Sequence, residues 1–340
     1  MLKVAVVILN WNGRKYLQQF LPSLIEHLPE FAEIFVADNH SSDDSVEFLK
    51  EKYPLVKLVI NKENGGYAKG YNDALKKIKA EYYILLNSDI EVTEKWIEPI
   101  VKLMDENQNI AACQPKIRAL NEKRKFEYAG AGGGFIDKYG YPFCRGRIFQ
   151  ELEVDQGQYD DTKEVFWASG ACMFVRAEHF WKLKGLDDDF FAHMEEIDFC
   201  WRAKNNGYQI FYEPESLVYH VGGGTLPKNN PRKTYLNFRN NFSLLYKNLE
   251  SNRLLSVFIW RLLLDGVAAF KFLIDGQAKD SWAVWRAHFS FYAKIPEHRK
   301  KRKMLKQKKV GQVYQRNIVY EHFIKKIKTY DKLDITRFSK

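Results

Sequence analysis

Short apolar runs alternate with amphipathic segments along the first 110 residues of the chain. The runs have strand length and are rich in β-branched or aromatic residues; they are Val4–Leu9, Ile34–Ala37, Val56–Ile60 and Tyr82–Leu86. The segments between them repeat apolar residues at helical spacing, as helices with one buried face do. These predicted helices are Arg14–Glu26, Asp43–Lys52, Ala68–Lys79 and Glu94–Gln108. The alternation predicts an α/β fold with a mostly parallel sheet and helices on both faces.

Polar side chains follow each predicted strand at the point where the strand ends. They are Asn10, Asp38, Asn61 and the pair Asn87 and Asp89. Because the carboxyl ends of parallel strands share one edge of a sheet, we expect these side chains to meet where open α/β sheets bind ligands. Any one of them is also typical of a turn. Only their combination favours a binding site.

The remainder of the chain lacks this regular alternation. A glycine-rich, irregular stretch extends from Ala112 to Gln158, and later segments at Tyr235–Leu249 and Leu254–Ile274 are predicted to be helices, the second strongly apolar. We therefore predict a catalytic domain at residues 1–250, an apolar helical extension at 251–295 and a basic segment with a polar tail at 296–340.

The apolar segment Leu254–Ile274 is not hydrophobic enough to cross a bilayer. Its thirteen Leu, Ile, Val and Phe residues favour insertion by about −4 to −8 kcal/mol, whereas Arg261, Asp265 and Lys271 oppose it by about +7 to +10 kcal/mol. A helix in the bilayer interface fits better, with a helix packed on the domain as the alternative. The run Val4–Leu9 is too short for a signal peptide or a membrane span.

The net charge of +10 on 340 residues is concentrated in one segment. Residues 296–310 contain eight basic residues and one acidic residue, a net charge of +7, and no aromatic residue. Without aromatic residues the run does not indicate nucleic-acid binding. We expect an anionic membrane surface as its partner, with a solvated charge run as the alternative. The four cysteines form no CxxC pair, which favours a reducing compartment over a disulfide framework or a zinc site.

Two segments at the ends of predicted strands are suited to a diphosphate. The carboxylate of Asp89, in Asn87-Ser88-Asp89, follows the fourth strand and can hold Mg²⁺ or Mn²⁺ against phosphate oxygens. The glycines at 65, 66 and 70 open a helix after the third strand, where free backbone N–H groups can approach a phosphate. Their spacing differs from the dinucleotide-binding G-x-G-x-x-G.

The acidic segment Phe190–Arg202 and His220 are further candidates for chemistry. The segment embeds three carboxylates among aromatic residues, where burial and mutual repulsion raise a carboxyl pKa towards the range of a general base. The alternative is that these acids stabilise the first turn of a helix. His220 ends an apolar run before three glycines; it is either a metal contact or a structural histidine.

Seven segments, in this order, resemble the family 2 glycosyltransferases, and most closely their rhamnosyltransferase-like branch. They are VAVVILNWNG (4–13), VADNHSSDDS (36–45), NGGYAKGYNDAL (64–75), LLNSDI (85–90), WASGACMFVR (167–176), residues 190–202, and VYHVGGGT (218–225). The resemblance covers about residues 3–250 and implies a GT-A fold. It also implies transfer of a sugar such as rhamnose, with inversion, from a nucleoside-diphosphate sugar to a hydroxyl of a glycan or lipid-linked acceptor. Cell-surface polysaccharide synthesis at the cytoplasmic face of a membrane would suit such an enzyme.

The resemblance assigns roles residue by residue. Trp11 would stack on the donor base and Asp38 would accept from its N–H. The other donor contacts would be Leu9, Asn64, Gly65, Gly66, Asn87 and Ser88. Asp89 and His220 would hold Mg²⁺ or Mn²⁺. The acceptor would be bordered by Trp167, Ser169 and Gly170, and the catalytic base would be Glu196, with Glu195 as its alternative.

Two positions depart from the family pattern. The D-x-D-like motif is Asn87-Ser88-Asp89, which leaves one carboxylate for the metal. The family's Glu-Asp pair is Glu195-Glu196, which makes the base one methylene longer, and a displacement of about 1 Å can slow catalysis by about a hundredfold. A weakly active or inactive relative that binds nucleotide sugars or glycans therefore stays open. A sugar nucleotidyltransferase is the other alternative, although the single Gly13 in the first turn disfavours it.

Overall fold

The computed structural model describes residues 1–222 and 230–340. Gly223, Gly224 and Thr225, at the end of the seventh segment, lie outside the described residues. The strands are β1 (Leu2–Asn10), β2 (Ala32–Asp38), β3 (Lys57–Ile60), β4 (Ala80–Asn87), β5 (Ile90–Val92), β6 (Ile110–Ala119), β7 (Gly134–Asp137), β8 (Pro142–Cys144), β9 (Arg147–Ile148), β10 (Glu151–Leu152), β11 (Lys163–Glu164), β12 (Cys172–Arg176), β13 (Gln209–His220) and β14 (Val313–Tyr314). The helices are α1 (Arg14–Glu26), α2 (Ser45–Lys52), α3 (Gly66–Leu75), α4 (Glu98–Glu106), α5 (Ala177–Lys182), α6 (Glu195–Asn205), α7 (Pro231–Asn248), α8 (Ser251–Ile274), α9 (Ala278–Ala293), α10 (Ile295–Met304) and α11 (Ile318–Phe323), and 3₁₀ turns occur at Asp188–Phe190, Tyr330–Lys332 and Ile335–Arg337.

The main sheet has nine strands and is mostly parallel on the side of the N-terminal elements. Its order is β11-β13-β6-β12-β4-β1-β2-β3, with β5 paired to β13. Strands β1 to β4 run parallel to one another, whereas β12 runs antiparallel between β4 and β6. The chain passes from β1 to β2 on one side and to β4 on the other, so the strand order switches at β1. The carboxyl edge there is the expected place for a ligand.

Strand β1 is apolar without alternation because both of its faces are covered. Val4, Ala5, Val6 and Val7 are all fully buried. Ala5 and Val7 enter one core, and Val4 and Val6 enter the core on the opposite face. A continuous apolar run is therefore the expected signature of a central parallel strand.

The predicted elements of the first 110 residues are present, and helix α1 has the predicted bounds. The third and fourth helices depart most from their predicted bounds: α3 ends at Leu75 instead of Lys79, and α4 begins at Glu98 instead of Glu94. Lys95 has a left-handed backbone with φ of +55°, and the Thr93 hydroxyl donates to the Leu217 carbonyl (2.8 Å). The segment is thus tied to β13 before a helix can form.

The C-terminal segment that the sequence indicated to be a polar tail contributes to the core. Strand β14 pairs in parallel with β7 in a second, five-stranded sheet. Tyr330 packs on Phe135, and Tyr314 packs on Phe143, with ring centroids 5.3 and 6.0 Å apart. These buried aromatic residues are separated by charged residues and turns, so they leave no periodic pattern in the sequence. The boundaries at residues 250 and 296 stay predictions.

Helix α8 confirms the predicted apolar helix and buries two of its charged residues, Arg261 and Asp265, against the protein. Val257, Arg261, Asp265 and Ala269 form its buried stripe. The Arg261 guanidinium lies 4.2 Å from the centre of the Tyr141 ring and 3.2 Å from the Asp265 carboxylate. Within residues 1–222 and 230–340, no helix is long and apolar enough to cross a membrane.

Candidate active site

The side chains that end the first three strands meet at the carboxyl edge of the sheet, as predicted. The Asn10 amide donates to the Asp38 carboxylate (3.2 Å). The side chain of Asn39, which follows Asp38, accepts from the side-chain amide of Asn61 (3.2 Å) and donates to the side-chain carbonyl oxygen of Asn64 (2.9 Å). Asn10, Asp38, Asn39 and Asn61 are buried, so this network fixes the loop before α3 relative to β1 and β2.

The glycine loop at the start of α3 is closed by the segment that precedes α6. Gly66 has φ of +75°, and a Cβ atom there would lie 2.4 Å from the Phe191 carbonyl oxygen. That oxygen accepts the amide hydrogens of Tyr67 (2.6 Å) and Ala68 (3.3 Å), and Asn64 accepts that of Gly66 (3.0 Å). The expectation of free N–H groups at this helix start is therefore wrong, because protein oxygens already occupy them. The donor roles of Asn64, Gly65 and Gly66 stay predictions.

The other predicted donor residues lie along the same edge. Leu9 pairs in register with Asn87 on the adjacent strand β4, and Ser88 follows it half-buried. Trp11, just beyond β1, is 47% exposed, which leaves its ring accessible for stacking on a base.

Asp89 and His220 lie together, as predicted, and a second carboxylate that was not predicted joins them. His220 is in register with Ile90 on β5. This register brings the Nε2 atom of His220 within 3.2 Å of the Asp89 carboxylate. Its Nδ1 lies 3.2 Å from the Glu127 carboxylate, and all three residues are buried. Burial alone would lower the pKa of His220, but the two carboxylates outweigh it and raise the pKa to about 10. Burial would raise the pKa of Glu127, but His220 holds it below its usual value.

Once the imidazole of His220 has lost its proton, Asp89 and His220 have donor atoms and a spacing that suit a divalent cation. Carboxylate oxygen and imidazole nitrogen both suit Mn²⁺, and oxygen suits Mg²⁺. Neighbouring ligands of an octahedral ion lie about 3 Å apart, and the two atoms of Asp89 and His220 are separated by 3.2 Å. The described residues contain no group of three or more ligating side chains, so the protein would supply these two. Glu127 would orient the imidazole from its other nitrogen.

Glu195 and Glu196 open helix α6, and burial keeps both carboxyl groups weakly acidic. Burial raises the pKa of Glu196 to about 7 although backbone amides of the first turn oppose the shift. The pKa of Glu195 is raised well above its usual value by burial and by the charge of Glu196. Each has a buried Oε2 without a hydrogen-bond partner among the described residues. A buried carboxyl with a pKa near neutrality is suited to accept a proton.

Glu196 lies beside Gly170. A Cβ atom at Gly170 would lie 3.7 Å from the Cβ of Glu196 and 2.9 Å from the Tyr67 hydroxyl oxygen. The Tyr67 hydroxyl in turn donates to the Gly170 carbonyl. A side chain at position 170 would therefore crowd the Tyr67 hydroxyl and contact the Cβ of Glu196.

The third carboxylate of the segment, Asp198, is structural. It pairs with Arg202 (2.8 Å) and Lys247 (2.9 Å) and accepts from the Asn248 amide (2.8 Å). Although burial raises the pKa of Asp198, these cations lower it below its usual value. It therefore anchors α6 to α7.

Two of the three predicted acceptor residues have structural partners. The Trp167 indole N–H donates to the Phe135 carbonyl (3.0 Å). The Ser169 hydroxyl donates to the Ala129 carbonyl (2.6 Å), in the loop that carries Glu127. Both side chains are buried, whereas Gly170 faces Glu196. Acceptor roles for Trp167 and Ser169 stay predictions.

Residues 5–183 match the family model described as glycosyl transferase family 2, which covers more than half of the chain. The chain belongs to glycosyltransferase family 2.

Two curated relatives of this glycosyltransferase act on rhamnose according to their names. The N-acetylglucosaminyl-diphospho-decaprenol L-rhamnosyltransferase of Mycobacterium tuberculosis is 23% identical over 230 residues, which are 63% of this chain and 75% of the relative. The dTDP-rhamnosyl transferase RfbF of Shigella flexneri is 26% identical over 246 residues, which are 67% and 76% of the two chains. The glycosyltransferase is thus similar to rhamnosyltransferases.

A solved structure confirms the predicted GT-A type of fold. The crystal structure of GalNAc-T7 with UDP, GalNAc and Mn²⁺ matches with a TM-score of 0.58 and 18% sequence identity. The match covers 74% of this glycosyltransferase and 49% of that chain, so our chain spans about half the length of that protein.

Sequence reasoning missed two residues that shape the site of this glycosyltransferase. Glu127 is an isolated acid in the irregular stretch, and no motif marks it. Asn240 lies on α7, and its amide contacts the carbonyl oxygens of Phe190 (3.0 Å), Ala192 (2.9 Å) and His193 (2.7 Å). The only sequence signal for Asn240 was an asparagine on the apolar face of a predicted helix. Asn240 holds the left-handed loop that leads into Glu195 and Glu196.

Proposed function

We propose that this glycosyltransferase transfers a sugar, with rhamnose as the first to test, from a nucleoside-diphosphate donor to a hydroxyl of a glycan or lipid-linked acceptor. The transfer proceeds with inversion and serves cell-surface polysaccharide synthesis. The observation that supports it most directly is the buried Oε2 of Glu196, which has no hydrogen-bond partner among the described residues, in the side chain next to Gly170. The similarity to two rhamnosyltransferases supports the choice of sugar.

The chain's own residues account for the proton transfer. Glu196 accepts the proton of the acceptor hydroxyl as that oxygen attacks the anomeric carbon, and a single displacement inverts the configuration. Burial and the charge of Glu196 raise the pKa of Glu195 well above its usual value and so favour its protonated form. Asp89 and His220 would hold Mg²⁺ or Mn²⁺, which when bound neutralises charge on the departing diphosphate.

A panel of nucleotides tests the donor part of this proposal. With Mn²⁺ present, one of UDP, GDP and dTDP at a hundred times its Kd is expected to stabilise the protein by about 2.7 kcal/mol, seen as a rise in Tm. The corresponding nucleotide sugar should be hydrolysed slowly without an acceptor. Trp11→Ala, at an exposed position, should keep the Tm of the free protein and lose most of the shift. Nucleotide binding without any turnover would favour a non-catalytic binding protein, and no binding would contradict the proposal.

We also propose that helices α8 and α9 dock on an anionic membrane surface. Large apolar side chains are exposed along both helices: Leu255, Ile259, Trp260, Leu262, Leu263, Val267, Phe270, Leu273, Ile274, Trp282, Trp285 and Phe289. Exposed apolar surface on this scale marks an interaction site, and the tryptophans suit the headgroup region. The named acceptor of the mycobacterial relative is a lipid diphosphate, which supports a membrane over a protein partner.

The basic segment can assist this docking only in part. Lys301 pairs with Asp187 and Asp189, and Arg302 donates to the Leu249 carbonyl (2.8 Å). These two residues therefore anchor α10 to the protein. The other six basic residues of the segment are exposed; they are Arg299, Lys300, Lys303, Lys306, Lys308 and Lys309.

Charged substitutions in the apolar face test the docking. The double variant Val267→Glu and Phe270→Glu, at positions 67% and 65% exposed, is expected to weaken binding to phosphatidylcholine–phosphatidylglycerol vesicles at least tenfold. The matched control is Leu55→Glu with Val154→Glu, at exposed apolar positions elsewhere; it should bind as the wild type does. Co-sedimentation measures both. Equal binding of all three proteins would contradict docking through α8.

A further inference from the structure

A basic groove lies between α7 and α9, outside the site described above. Its cavity has a volume of about 470 Å³. Four cationic side chains line it, from Arg232 and Arg239 on α7 and from Lys279 and Arg286 on α9, and no carboxylate of the described residues does. Its other lining residues are Phe191, Pro231, Tyr235, Leu236 and Ala283.

The charges of this groove are not neutralised by the part of the chain that the structure describes. None of the four cations makes an ion pair within residues 1–222 and 230–340. Arg232 lies over the Phe191 ring (4.9 Å) and Arg286 over the Tyr235 ring (5.2 Å). Arg239 donates to the carbonyl oxygens of Asp189 (2.9 Å) and Phe190 (3.0 Å). The groove thus offers oriented guanidinium groups above an apolar floor of Leu236 and Ala283.

The groove adjoins the candidate active site through Phe191. The carbonyl of Phe191 closes the α3 loop, and its ring lies against Gly66, where a Cβ atom would approach it to 2.6 Å. Glu195 and Glu196 follow only a few residues later. A ligand in the groove is therefore separated from the α3 loop by one side chain.

The opposite side of the groove adjoins the apolar face. Lys279 and Arg286 share helix α9 with the exposed side chains of Trp282, Trp285 and Phe289. Helical spacing places residue 286 next to 282 and 289 on the surface. The groove therefore lies between the surface proposed to meet the membrane and the catalytic carboxyl groups.

We infer that this groove binds the diphosphate of a polyprenyl-linked acceptor. Arginine binds phosphate oxygens through paired N–H groups, and the apolar floor suits the first prenyl units. A diphosphate held here would present its sugar towards Glu196 while its lipid stayed at the α8–α9 surface. The inference rests on the proposed function, since it specifies the acceptor of that same reaction.

Farnesyl diphosphate is a suitable probe, with binding followed by tryptophan fluorescence. The wild type is expected to bind it at least tenfold more tightly than farnesol or inorganic pyrophosphate, because both the anion and the lipid contribute. The double variant Arg232→Gln and Arg286→Gln, at exposed positions, should raise the Kd at least tenfold with an unchanged Tm. The control Lys300→Gln with Lys303→Gln removes the same charge from α10 and should leave the Kd unchanged.

Competition and vesicle binding separate this groove from the other anion sites. The inference is overturned if the arginine variant binds farnesyl diphosphate as the wild type does, or if dTDP with Mn²⁺ displaces the probe. It is also overturned if the arginine variant no longer binds phosphatidylglycerol vesicles but still binds farnesyl diphosphate. The groove would then be a site for lipid headgroups. Loss of farnesyl diphosphate binding in the variant, together with a negative nucleotide panel, would support the groove and refute the proposed donor chemistry.

Discussion

Glu196→Gln is expected to reduce sugar transfer by about a thousandfold, within the range that a general base contributes, while donor affinity stays within a few-fold. Glutamine has nearly the same size but cannot accept a proton. The carboxyl group of Glu196 forms no ion pair with the residues that the structure describes, so the fold should tolerate the change. Single-turnover rates and a separate donor titration measure the two effects. Near-normal transfer by this variant would show that Glu196 is not the base.

Glu195→Gln is the matched comparison because it distinguishes the two adjacent acids. Burial and the charge of Glu196 raise the pKa of Glu195 well above its usual value and so favour its protonated form, which glutamine resembles. We therefore expect less than a tenfold loss of transfer. If Glu195→Gln abolishes transfer and Glu196→Gln does not, Glu195 is the base.

The pH profile provides a second measurement on Glu196. A base must be ionised to act, and burial raises the pKa of Glu196 to about 7. The rate of transfer should therefore be constant above about pH 7 and should fall about tenfold per unit of pH below it. In Glu196→Gln this dependence should disappear from the residual rate.

Local patterns predicted the part of the site that is built on parallel strands. Asn10, Asp38 and Asn61 end three such strands, and parallel topology alone brings strand ends to one edge. The bounds of α1 could also be predicted from the sequence, because the spacing of its apolar residues matches the face that the helix buries. These are features in which the sequence near a residue determines its environment.

The missing parts depend on contacts between residues far apart in the chain. Glu127 meets His220 because β13 pairs with β6 and the Glu127 amide donates to the Ile117 carbonyl on β6. Strand β14 joins β7 across more than 170 residues. Phe191 closes the α3 loop through a backbone carbonyl, which no side-chain pattern reveals. The resemblance placed Trp167 at the border of the acceptor, but it did not reveal that the indole is buried against Gly134.

The second large effect is expected at Asp89. Asp89→Asn should weaken Mn²⁺ binding at least a hundredfold and remove the Mn²⁺-dependent part of donor affinity, because one of two protein ligands loses its charge. Mn²⁺ binding to the free protein, followed by electron paramagnetic resonance, does not depend on turnover. Glu91→Gln is the matched control, since Glu91 lies two residues away and, among the described residues, forms an ion pair only with exposed Lys123. Unchanged Mn²⁺ affinity in Asp89→Asn would exclude this carboxylate as a ligand.

Mn²⁺ binding also tests whether Glu127 supports the metal site of Asp89 and His220. If its carboxylate orients the imidazole of His220, Glu127→Gln should weaken Mn²⁺ binding about 10–100-fold, as for residues that support metal ligands. In a His220→Ala background the same substitution should have no further effect, because the ring through which it acts is absent. A second loss of equal size in that background would mean that Glu127 affects the ion independently of His220. We expect no further effect in the His220→Ala background, because the imidazole of His220 lies between the Asp89 and Glu127 carboxylates.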